Sequence, residues 1–139
     1  MSLKVYIDTN VFLDSILNRD NGVAREVLYF LEDKNFEIIL NDVSIINIHY
    51  FSSKDKKLTP KTVKKYIGLF LEEYTIVPVN VKLLKSALYS NFSDFEDAVQ
   101  YFCAKKVGAD LIISKDKKGF IESDIEKITP IDFYNEYIK

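Results

Sequence analysis

The chain has 139 residues, 47% of them apolar and 14% aromatic, which is one domain's worth of sequence with enough apolar side chain to bury a core. Lysine and arginine number 19 against 21 acidic residues, a net charge of −2, so overall charge neither announces nor excludes a polyanionic partner and local clusters must decide. A single cysteine, Cys103, excludes an internal disulfide; with a single histidine, His49, there is no Cys/His zinc cluster, and a bound metal would have to be held by oxygen.

Taken in order, short apolar runs alternate with helical patterns. "LKVYI" (3–7) reads as a strand and "VFLDSIL" as a helix after it; "NGVAREVLYFLEDK" carries Val23, Val27, Leu28 and Leu31 at helical spacing. "FEIIL" (36–40) is a second strand, followed by helices in "VSIINIHYF" and "PKTVKKYIGLFLEEY". "TIVPV" (75–79), the helices of "NVKLLKSALY" and "DFEDAVQYFCAKK", and "DLIIS" (110–114) come next, with "KITPI" a weaker fifth strand. Strands separated by helices imply one α/β domain over 1–139 with a mainly parallel sheet of about five strands flanked by helices. No run of about 18 apolar residues spans a membrane, and "SLKVYID" after Met1 lacks the pattern of a signal peptide, so the expected location is cytoplasmic.

In open parallel sheets, sites form beyond the carboxyl ends of strands where strand order reverses. Asp8 directly follows the first strand and Asp116 comes two residues after the fourth, so both belong at such an edge. On the helix after Asp94, a rotation of about 100° per residue puts Phe95, Ala98, Val99 and Phe102 on one buried stripe, with Asp94, Asp97 and Tyr101 on its flank and Glu96 and Gln100 facing away. Asp94 suits an N-cap, whereas Asp97, a turn inside, gains less from the helix dipole. Asp14 reads as a solvated helix face, and His49 as a packing or surface residue.

"VYIDTNVFLD", then "SIINIHYF", then "DFEDAVQYFCAKKVGADLIISKD" together resemble a PIN domain of the VapC-like toxins of bacterial toxin–antitoxin pairs. The resemblance implies a metal-dependent ribonuclease in which Asp8, Asn47, Asp97 and Asp116, with Asp94 near them, gather around Mg²⁺ or Mn²⁺, and in which Asn10 and Ser114 are supporting polar residues. Asn47 departs from the pattern, which has Glu there in many members. RNA as substrate, a small antitoxin protein as partner and a homodimer follow from the resemblance alone.

The residue types suit that chemistry. Clustered carboxylates raise one another's pKa unless a cation is present, and Mg²⁺ keeps several waters, leaving room for a phosphate and an attacking water. Phosphates need cations: Lys54, Lys56, Lys57, Lys61, Lys64 and Lys65 form one group, and Lys115, Lys117 and Lys118 a better-placed one around Asp116. Tyr50, Phe51 and Tyr101 are candidates to stack on bases, with core packing the commoner use. Two other readings stay open: a non-catalytic binding module of the same fold, and a phosphatase or receiver on a similar sheet. Against the latter, the phosphatase's second acid would fall at Asn10 and the receiver's acid at Asn80.

Overall fold

A computed structural model describes residues 3–116 and 123–139. Its sheet has five strands, β1 (Lys4–Ile7), β2 (Glu37–Asn41), β3 (Thr75–Val77), β4 (Leu111–Ile113) and β5 (Lys127–Ile128), in the order β3-β2-β1-β4-β5. Every pairing is parallel, with Tyr6 opposite Ile39 on one side and Ile112 on the other. The helices are α1 (Thr9–Ile16), α2 (Val23–Asp33), α3 (Asp42–Ser53), α4 (Pro60–Glu73), α5 (Val81–Leu88), α6 (Phe95–Lys106) and α7 (Pro130–Phe133).

Successive strand side chains point to opposite faces. Val5 and Ile7, with Ile38, Leu40 and Ile113, therefore join one core with Phe12 of α1, Leu28 and Leu31 of α2, Ile48 of α3 and Phe70 of α4. Tyr6, Ile39, Val77 and Ile112 face the other way, onto Leu83 and Ala87 of α5 and Ala98, Cys103 and Ala104 of α6. The chain steps outward from β1 through β2 to β3, then returns to the other side of β1 for β4 and β5. The order thus reverses between β1 and β4, and that is the crevice where such folds place their sites.

The weak fifth strand is shorter than "KITPI" suggests. Thr129 caps a helix instead, its Oγ1 accepting from the Asp132 N–H at 3.2 Å, and Pro130, which has no N–H to give a ladder, takes the first helical position. The stop of α6 has an equally local cause: Gly108 adopts φ +69°, the left-handed conformation that ends helices.

Candidate active site

Asp8 continues the alternation of β1 and so turns toward the α6 face of the sheet. It occupies the N-cap position of α1, yet its carboxylate makes no capping bond. Its Oδ1 accepts from Gln100 Nε2 at 2.9 Å and its Oδ2 from the Ser114 hydroxyl at 2.7 Å. Asp8 is only 4% exposed. A carboxylate offers about four lone-pair directions, so acceptor capacity remains after these two bonds. Ser114 is itself fixed: it directly follows β4, and its Oγ accepts from the Asp116 N–H at 3.1 Å.

On α6, Asp94 is the N-cap, its Oδ1 accepting from the Asp97 N–H at 2.9 Å. Glu96 and Asp97 in the first turn and Lys105 and Lys106 in the last complement the helix dipole. Asp97 is half-buried, and its carboxyl is pushed up to about 7, first by loss of hydration and then by the charges of Asp94, Asp8, Asp116 and Glu96. The Glu96 carboxyl is also raised, by burial and then by Asp8 and Asp94. Asp8 from β1, Asp116 from beyond β4 and the head of α6 thus share one electrostatic field at the crevice.

Helix α6 is rotated relative to the sequence expectation. Gln100, expected to face away, is 2% exposed, whereas Phe95, expected in the buried stripe, is 49% exposed. Gln100 can be buried because its amide is engaged: beyond Asp8, its Oε1 accepts from the Thr9 N–H at 3.3 Å and the Tyr6 hydroxyl at 3.5 Å. Tyr6 Oη in turn accepts from Asn41 Nδ2 at 2.9 Å, and Asn41 Oδ1 caps α3 by accepting from the Ser44 N–H at 2.7 Å. No periodicity signals such a network, since each member lies on a different element. Glu96 also departs from expectation: although exposed, it feels Asp8 and lines a cavity of about 180 Å³ with Asn41, Ser44, Asn47 and Gln100. Asn47, half-buried on α3, therefore faces the same space as Glu96.

Other candidates fall less close together. Asn10 is exposed on α1, and His49 is exposed on α3. Asp14, read as a solvated face, is instead 1% exposed. Lys115, read as a phosphate contact, sets its ammonium 2.7 Å from Asp14 Oδ2. Lys117 and Lys118 lie outside the described residues. Tyr101 is buried and its hydroxyl donates to Asp124, so it presents no free ring face for a base. Tyr50 and Phe51 are exposed, with Lys54 Nζ 4.2 Å from the Tyr50 ring centre.

The donor set is oxygen only, as Mg²⁺ or Mn²⁺ prefers. Among the described residues no three Asp, Glu, His or Cys side chains are drawn tightly enough together to clasp one ion between them. Asp8, Asp97 and Asp116 are brought into one electrostatic field at this edge of the sheet, the charges of Asp8 and Asp116 both acting on Asp97. The oxygen donors of Asp8, Asp97 and Asp116 would suit Mg²⁺, which takes oxygen ligands and keeps several of its waters.

The sequence matches the PIN domain family over residues 4–118. The chain belongs to the PIN domain family. It is 31% identical over 140 residues to ribonuclease VapC1 of Aquifex aeolicus (strain VF5), covering 95% of this chain and 94% of that protein. Among solved structures it resembles VapBC2 from Rickettsia felis bound to a DNA fragment from its promoter, with a TM-score of 0.63 at 17% identity, covering 91% of this chain and 98% of that one. A toxin–antitoxin complex from Klebsiella pneumoniae gives a TM-score of 0.67 at 14% identity over 91% and 97% of the two chains. At such identities these likenesses speak to the PIN fold. Within it, Asp8, Asp97 and Asp116 lie at the β1–β4 crevice, and Asn47 faces the adjoining cavity.

Proposed function

We propose that this PIN domain is an endoribonuclease dependent on Mg²⁺ or Mn²⁺ and the toxin of a toxin–antitoxin pair. The observation that carries the reading is the meeting of Asp8, Asp97 and Asp116 at the point where strand order reverses, where burial first and then the neighbouring carboxylates push the Asp97 carboxyl up to about 7. Kinship with a protein named as a ribonuclease supports RNA as the substrate. Asp8, Asp97 and Asp116 would hold the ion, with Asp94 adding negative charge and Asn47 an amide oxygen or a hold on water. When bound, the ion neutralises charge on the phosphodiester and lowers the pKa of the attacking water. The chain's own contribution is to fix the carboxylates: Gln100 and Ser114 aim the two oxygens of Asp8, and Asp94 pins the first turn of α6 beneath Asp97.

A small antitoxin protein is the expected partner, supported by the toxin–antitoxin complexes among similar folds. Homodimerisation is part of the same proposal, and exposed Val43 and Ile46 on α3 with Leu84 and Leu88 on α5 are side chains that self-association would cover. A cytoplasmic location fits this role. The second reading, a non-catalytic binding module, is favoured by Asn47 standing where many members carry Glu.

The deciding experiment is RNA cleavage by the wild type, Asp8→Asn and Asp97→Asn, with Mg²⁺ and with chelator, alongside thermal melting. The nuclease reading expects cleavage that both substitutions and the chelator abolish, with melting showing a folded protein throughout. Cleavage that survives chelation, or an active Asp97→Asn, would sink the metal mechanism; a wild type inactive at every metal concentration would favour the binding module.

A further inference from the structure

Asp14 sits in the second half of α1 with its carboxylate 1% exposed, held between two cations. Arg19 Nε lies 3.0 Å from Oδ1 and Lys115 Nζ 2.7 Å from Oδ2, while the two basic side chains are 52% and 50% exposed. Burying a carboxylate is costly unless it is paired in this way. Arg19 follows α1 closely in sequence, so its bond is local. Lys115 is distant in sequence and comes from the segment that leaves β4, the strand beside β1, immediately before Asp116.

That position matters because its neighbour is fastened too. Ser114 bonds Asp8, which stands at the head of the same helix, and Lys115 forms an ion pair with Asp14 about 1.7 turns further along. Two acids of one rigid element thus grip two consecutive residues of the segment leaving β4, and Asp116 is the next residue in that segment. We infer that Lys115 is a positioning residue: seated on Asp14, it fixes the segment that carries Asp116 at the crevice, rather than contacting RNA phosphates. The surroundings favour this, because Lys115 lines a cavity of about 480 Å³ together with Asp20, an acid that does not attract a polyanion. The inference deepens the metal-nuclease reading and rests on it.

The test turns on a difference of sign. Lys115→Met removes a positive charge close to the acids, and Coulomb's law alone makes the site bind a cation more tightly. Loss of a positioning contact does the reverse. Mn²⁺ is titrated calorimetrically into RNA-free wild type, Lys115→Met and Arg19→Met. Lys115→Met should bind Mn²⁺ about ten-fold more weakly, the scale on which outer contacts of metal sites act. Arg19→Met, which removes the same charge from the same carboxylate but not from the Asp116 segment, should bind as well as wild type or better.

Unchanged or tighter binding in Lys115→Met overturns the inference, as does an equal loss in Arg19→Met. The salt dependence of RNA binding gives an independent reading: it should be unchanged in Lys115→Met, whereas a fall in slope of about one makes Lys115 a phosphate contact. Amide hydrogen exchange in metal-free protein supplies an arm that needs no ion. The Asp116 N–H, bonded to Ser114 Oγ, should exchange faster in Lys115→Met and recover in Lys115→Arg, whose guanidinium reaches the same carboxylate. Should wild type bind no Mn²⁺, the metal reading fails and this exchange decides the brace by itself; equal exchange in wild type and Lys115→Met overturns it.

Discussion

Gln100 Nε2 donates to Asp8 Oδ1 across 2.9 Å, joining the middle of α6 to the residue that directly follows β1. The same side chain accepts from the Thr9 N–H, so one amide sets both the aim of a candidate catalytic carboxylate and the start of α1. Gln100→Leu keeps the approximate volume but strands these buried polar groups. Each such group costs about 1–3 kcal/mol, and the variant should lose roughly 2–4 kcal/mol of stability in urea titration. Cleavage should fall further than the folded fraction does. A loss below about 0.5 kcal/mol, the ordinary range for an inconsequential substitution, would mean that the amide does not orient Asp8.

Asp97 predicts how stability follows pH. Its carboxyl stands at about 7 in the folded protein against an ordinary 3.8, so between these values the folded state binds the proton more tightly than the unfolded chain. Stability contributed by the protonated form is therefore complete at low pH and drains away as pH rises through about 7. In metal-free buffer the melting temperature should fall from pH 5 toward pH 8 by an increment that Asp97→Asn removes. Saturating Mg²⁺ should shrink that increment by screening the same repulsion. A metal-free wild type and Asp97→Asn with parallel pH profiles would contradict the raised carboxyl.

Asn47 faces the cavity that Glu96 also lines, and it brings an amide where a carboxylate would bring charge. Asn47→Glu should lower the Mg²⁺ concentration at half-maximal cleavage, and Asp94→Asn should raise it, since Asp94 is among the charges that act on Asp97. The titrations belong at fixed ionic strength because salt weakens RNA binding on its own. An unmoved midpoint in Asn47→Glu would place position 47 outside the reach of the ion.

Phe12 ties the helix that begins beside Asp8 to α4, its ring 5.2 Å from Phe70 and 5.9 Å from Tyr74 between centroids. It is fully buried, so Phe12→Ala leaves a cavity as well as losing burial and should cost about 3–5 kcal/mol. Chemical denaturation of the variant measures this directly. A cost under about 1 kcal/mol would mean that α1 and α4 close over the gap.

The strands, the helices and the sheet-edge acids were legible in the sequence because they follow from local rules. Apolar runs of strand length between helical periods leave few topologies, and an acid directly after such a run, as at Asp8, must lie at a strand's carboxyl end. The N-cap at Asp94 was equally local, being a bond between residues three apart. What the sequence misplaced were residues whose surroundings come from distant elements. Gln100 looks like a solvent-facing helix residue until Asp8, Thr9 and Tyr6 arrive to satisfy its amide. Asp14 looks like a surface acid until Lys115, 101 positions later, closes over it, and Lys115 looks like an RNA contact for the same reason. A polar side chain is buried only when partners satisfy it, and one sequence does not say which partners the fold will bring.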